Sequence, residues 1–87
     1  MGDRDHVIRG AAAEGLGERG GPRAADALIT HLRLEENFYV IKIAAHALGR
    51  IGDRRVIDSL KGIRADVADP DTLSAIDDAL KRLGEAR

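Results

Sequence analysis

Apolar residues recur along this chain in steps of three and four. Val40, Ala44, Ala47, Leu48 and Ile51 follow the i, i+4, i+7, i+8, i+11 spacing of one helical face. The same period links Ala25, Leu28, Ile29 and Leu32, then Val56, Ile57, Leu60 and Ile63. The pattern predicts five helices, at about 4–19, 22–34, 38–51, 54–66 and 70–83. Their ends are punctuated. Gly20 and Gly52 stand where a helix closes in a left-handed residue. Asn37, Asp53 and Asp69 stand where a side-chain cap belongs, and Pro22 and Pro70 fall at first helical positions. One segment resists this reading locally: Phe38-Tyr39-Val40-Ile41-Lys42-Ile43 has the aromatic and β-branched content of a strand.

Self-similarity overrules the strand. Gly20, Gly52 and Gly84 are spaced by 32 residues, as are Leu16, Leu48 and Leu80. Ile8, Val40 and Thr72 share that register, and so do Ala12, Ala44 and Ile76. The strand-like segment therefore occupies the same place as Ile8–Ala13 and Thr72–Asp77, which are poor strand formers. The copies span about 5–36, 37–68 and 69–87, each a helix pair except the last, which stops after one helix. Leu73, Ile76, Leu80 and Leu83 then form a stripe in the final helix with no sixth helix to cover it. Self-association through that helix is the expectation it raises.

The strings AAAEGLGERG and AAHALGRIGD resemble the short HEAT-like repeats, including those of the phycobilisome-lyase type. The resemblance covers nearly the whole chain. It implies an all-α, right-handed α-α superhelix of about two and a half helix pairs, with first helices on the convex side and second helices on the concave side. It also implies a protein–protein interaction scaffold or adaptor binding along the concave face. Other members act as bilin lyases or isomerases, or as accessory regulatory subunits of enzymes. A di-iron hydroxylase branch carries His-Glu ahead of its alanines. Here those positions hold Gly10-Ala11, Lys42-Ile43 and Ser74-Ala75, so no metal or other cofactor is expected.

Composition narrows the choice of partner. Fourteen basic residues face fifteen acidic ones in 87, interspersed, for a formal net charge of −1. That balance disfavours nucleic acid and anionic membranes. No apolar run approaches the roughly 20 residues of a membrane span. The absence of cysteine removes disulfides and thiolate chemistry and fits a cytoplasmic setting. Serines without a partnered histidine and glycines outside any strand-to-helix turn leave catalysis without materials, and no enzymatic activity is expected. The Gly15–Gly20 stretch spells G-x-G-x-x-G, but it closes a helix instead of opening one.

Two sets of residues are candidates for contact with a protein. Arg23 with Asp26 recurs as Arg55 with Asp58, three residues apart on one helical face. With Thr30 and Gly62 they would line the second helices. The plainer reading is intrahelical or inter-repeat ion pairing, which contributes about 0–1 kcal/mol per exposed pair. Phe38 and Tyr39 are the only aromatics besides histidine, and aromatics anchor interfaces. Packing at a helix start explains them equally. Lys42, His46 and Arg50 form a narrow basic row that any packed helix would show to water. Asp69, Asp71, Asp77 and Asp78 crowd the last helix, where capping and solvation account for them.

Overall fold

A computed structural model describes residues 3–84, with side chains described from residue 5. It contains α1 (Asp3–Arg19), α2 (Gly21–Leu34), α3 (Phe38–Ile51), α4 (Ile57–Ala65) and α5 (Pro70–Arg82), with a single 3-10 turn, Arg54–Val56, leading into α4. The expected fourth helix began at residue 54. The chain instead spends its first three residues in the tighter turn. Asp53 accepts from the Arg55 N–H, and the Val56 N–H donates to the Asp53 carbonyl, so α-geometry starts only at Ile57.

The segment Phe38–Ile51 is helical throughout. Asn37 Oδ1 accepts from the Val40 N–H at 3.2 Å, and Gly52, at φ 76°, closes the helix by donating to the Leu48 carbonyl. Asp69 caps α5 twice over, accepting from the Thr72 N–H at 3.0 Å and the Thr72 hydroxyl at 2.8 Å. That second bond lets Thr72 occupy a fully buried place without an unsatisfied hydroxyl.

The first helices α1, α3 and α5 stack side by side in one layer, and α2 and α4 form the other. The core lies between them, with Leu28, Val40, Leu48, Leu60 and Ile76 wholly buried. Each such aliphatic side chain contributes about 1.5–3 kcal/mol. Repetition of a helix pair that buries its apolar face only against its neighbours makes this an all-α solenoid.

The first layer is held close by small residues. A methyl group on Gly17 would lie 2.7 Å from the Ala47 Cβ, and one on Gly49 would lie 3.3 Å from the Ala79 Cα. Gly10 faces Ile43 and Tyr39 further up the same seam. Both contact positions advance together, so α1 and α3 run parallel.

One expectation about the ends is corrected. The α5 stripe is not open: Ile76, Leu80 and Leu83 are buried and Leu73 is half-buried, because α5 lays that face against α3 and α4. The open apolar face lies at the other end. Ile8 shares its register with buried Val40 and Thr72, yet it is 66% exposed, and Val7 is 55% exposed. Ala12 is exposed where Ala44 is buried. In copies two and three that register faces the preceding helix pair, whereas among the described residues no element lies on that side of α1.

Paired substitutions test this packing. Gly15→Ala meets open space and replaces a helix-interior glycine, so it should raise stability by about 0.5–1 kcal/mol. Gly17→Ala should lower it by about 1–3 kcal/mol by forcing α1 from α3. Likewise Ile8→Ala should change stability by less than about 0.5 kcal/mol, against about 2 kcal/mol lost for Val40→Ala. Urea unfolding followed by circular dichroism reads all four.

Candidate functional site

The face built from α2 and α4 carries most of the candidate residues. Arg23, Asp26, Thr30, Arg55, Asp58 and Gly62 are all exposed. The expected intrahelical pairs Arg23–Asp26 and Arg55–Asp58 are absent from the ion pairs among the described residues. Arg55 turns instead to Asp53, donating from Nε and Nη2 at 3.1 and 2.8 Å, and reaches Asp26 of the neighbouring repeat at 3.5 Å. The Asp53 carboxylate, already accepting a backbone N–H, is the nearer and better-oriented acceptor. Hydrogen bonds from Arg55 hold it below the usual carboxylate range. Thr30 donates back to the Asp26 carbonyl.

Phe38 and Tyr39, each half exposed, point to different places. Tyr39 lies against Gly10 on α1 and meets His6 edge-on, with ring centroids 5.7 Å apart. Phe38 lies on the other side, in a groove of about 850 Å³. Its floor is Leu32, Phe38, Ile41, Ile63 and Val67. Asp58 and Gly62 stand in its wall, while Arg23, Asp26, Thr30 and Arg55 lie outside it.

One tightly bonded cluster was not anticipated from sequence. Glu35, at the end of α2, has a side chain only 4% exposed. It accepts from Arg9 Nε and Nη2 at 2.8 and 3.0 Å and from the Asn37 N–H at 3.0 Å, and His31 Nε2 lies 3.0 Å from it. The group ties α1, α2 and the start of α3 together. Burial pushes the Glu35 carboxyl up, but the hydrogen bonds from Arg9 and Asn37, the Arg9 charge and the His31 contact together outweigh it. They hold Glu35 at about 2, below its ordinary 4.5.

The signal for this cluster lies in mismatches between copies. Thirty-two residues on from Arg9, His31 and Glu35 stand Ile41, Ile63 and Val67. These are the floor of the Phe38 groove. Each copy thus has a depression at this register: copy one lines its own, of about 600 Å³, with an ionic clamp, and copy two lines its own with apolar side chains.

At the last helix, Asp77 accepts from Arg64 Nε at 2.6 Å, joining α5 to α4. Asp69 is a cap, and Asp71 and Asp78 are exposed. Among the described residues, no three His, Asp or Glu side chains converge as metal ligands, and no helix is long and apolar enough to cross a membrane.

The clamp makes stability depend on acid. Glu35 binds its proton less tightly folded than unfolded, so its contribution is complete above its unfolded value of 4.5 and is lost as pH falls toward about 2. A loss of about 1–3 kcal/mol over that window is expected from this group. Glu35→Gln should lower stability at pH 7 and flatten the decline between those values; thermal melts across the range read both.

No curated protein and no solved structure matches the chain. The family model describing HEAT repeats matches residues 1–81 of the 87. With two layers of repeated helix pairs and a match over nearly its full length, the chain belongs to the HEAT-repeat family.

Proposed function

We propose that this protein is a non-catalytic protein-binding module that holds a segment of its partner along the face of α2 and α4. Solenoids of stacked helix pairs present extended surfaces and commonly use them for binding protein. The observation that carries the reading is the groove on that face. It places a half-exposed phenylalanine over an aliphatic floor, with polar side chains around it. An apolar centre within a polar rim is how protein interfaces are generally composed. Of the remaining candidates, Arg23, Asp26, Thr30 and Arg55 continue the same face toward the start of α2 as a polar extension.

The first helices are poorer candidates for a partner segment. Their exposed side includes the basic row of half-buried Lys42 and exposed His46 and Arg50, none of which lines the groove. A helix layer packed through glycine and alanine offers ridges too shallow to grip a side chain.

Charge reversal on the face tests the reading. Asp26→Lys with Asp58→Lys alters only exposed side chains, and the one ion pair it breaks, Asp26–Arg55, is solvent-screened. The doubly substituted protein should fold, with an unchanged circular dichroism spectrum. It should also lose at least about tenfold in affinity for a partner captured from the native cell by the unaltered chain. Equal capture by both forms would remove the α2–α4 face as the site.

A further inference from the structure

The groove has a charge as well as a shape. Four carboxylates and one guanidinium line it: Glu35, Glu36, Asp58, Asp66 and Arg33. Glu35 is already matched by Arg9. Arg33 is turned to the Ser59 hydroxyl at 3.1 Å. Glu36, Asp58 and Asp66 are exposed and belong to none of the ion pairs among the described residues. Three exposed acids against the single Arg33 cation therefore ring an apolar floor and leave the rim net acidic, in a chain whose overall charge is close to neutral.

The wall between Asp58 and Asp66 is bare helix. Gly62 lies in the body of α4, where glycine weakens a helix relative to alanine. A methyl group there would meet nothing within 4 Å, and Gly62 has no positive φ, so neither packing nor backbone geometry within the chain calls for glycine. Copy one has Thr30 in its place. What the glycine does supply is access: another backbone can approach α4 closely at the groove.

The contrast between copies points the same way. Where copy one lines its depression with Arg9, His31 and Glu35, copy two has Ile41, Ile63 and Val67. In the adjoining position apolar Leu34 becomes Asp66. The floor loses its charges while the rim gains one.

From this complementarity we infer that the groove binds a basic–apolar peptide segment. One aliphatic or aromatic side chain of that segment enters over Ile41, Ile63 and Val67, and flanking Lys or Arg residues meet Glu36, Asp58 and Asp66. The acidic rim repels phosphate backbones, and the open form suits a chain laid across it. The inference rests on the reading of the α2–α4 face as a protein-binding surface and gives that surface its chemistry.

The test uses the whole chain and a displayed library of random peptides about 12 residues long. Selected peptides are then synthesised, and their affinity is measured by fluorescence anisotropy. They should share an apolar anchor with Lys or Arg within about four positions. Raising salt from about 50 to about 300 mM should weaken them several-fold. Asp58→Lys with Asp66→Lys should weaken them about tenfold or more. Gly62→Leu should weaken them similarly while raising the melting temperature, which separates loss of the groove from loss of the fold.

Selected peptides without basic residues, or with full affinity for both variants, overturn the groove chemistry. If those peptides instead lose affinity with Asp26→Lys and Arg55→Glu, the binding face stands without this groove. Failure to select any peptide overturns both. Self-association of the unaltered chain by light scattering, abolished by Gly62→Leu, would assign the groove to a second copy and also overturn the inference.

Discussion

Gly17 and Gly49 set the distance between neighbouring first helices. At Gly17 the gap to Ala47 leaves no room for one added methyl group. That approach brings the second helices to their places, because each pair is fixed by its own internal packing and only the first layer packs extensively from repeat to repeat. Close packing of small residues explains how so short a chain forms a solenoid with scarcely any aromatic side chains. Dispersion contacts between backbones replace the volume that larger side chains would fill. It also explains why the groove lies on the α2–α4 side. The second helices touch each other lightly, so a depression persists beside them.

The depression at this register is treated in two ways within one chain, and the difference is energetic. Lining it with Arg9, His31 and Glu35 desolvates a carboxylate, and only several hydrogen bonds around Glu35 offset that cost. Leaving it apolar, as at Ile41, Ile63 and Val67, avoids the desolvation but exposes hydrocarbon to water. The clamp fixes α1 to α2 and α3 at the end of the array where α1 has a neighbour on one side only. The groove sits next to α3, which is packed on both sides and needs no such tie. Stability and exposed apolar surface are thus assigned to different repeats.

Much of the fold was legible in sequence because repetition supplied three views of each position. The strand-like Phe38–Ile43 could be overruled only by comparison with Ile8–Ala13. The caps at Asn37 and Asp69 and the stop at Gly52 were legible from local chemistry alone. What escaped depended on partners distant in sequence. Arg9 and Glu35 are 26 residues apart, and they disagree with their counterparts in copy two, so a search for matching residues passes over them. Helical spacing paired Arg55 with Asp58, but the backbone turn at Asp53 brings a nearer carboxylate to it. The aromatic neighbours Phe38 and Tyr39 read as one feature, but consecutive residues on a helix project about 100° apart. One therefore faces the groove and the other α1. Gly62 was legible as a position on the second-helix face, but only its surroundings show that nothing in the chain requires a glycine there.

The two ends of the first layer are chemically unlike, which gives the array a direction. Following the seam positions by register, Gly10 and Gly17 become Lys42 and Gly49, then Ser74 and Lys81. The side of α5 facing away from α3 therefore carries a hydroxyl and an ammonium where α1 carries two glycines and α3 keeps one, Gly49. Asp77, next to them, is engaged with Arg64. Seating another helix there at the same distance would bury the Lys81 charge and crowd its side chain. The opposite side of α1 has no such obstacle, since Val7, Ile8 and Ala12 are exposed and uncharged. Charge and side-chain volume thus oppose close stacking on α5, whereas water is the only thing to be displaced from α1. The asymmetry follows from a repeat whose contact residues are small on one side and apolar on the other, with polar replacements at the seam rising from Lys42 in copy two to Ser74 and Lys81 in the last copy.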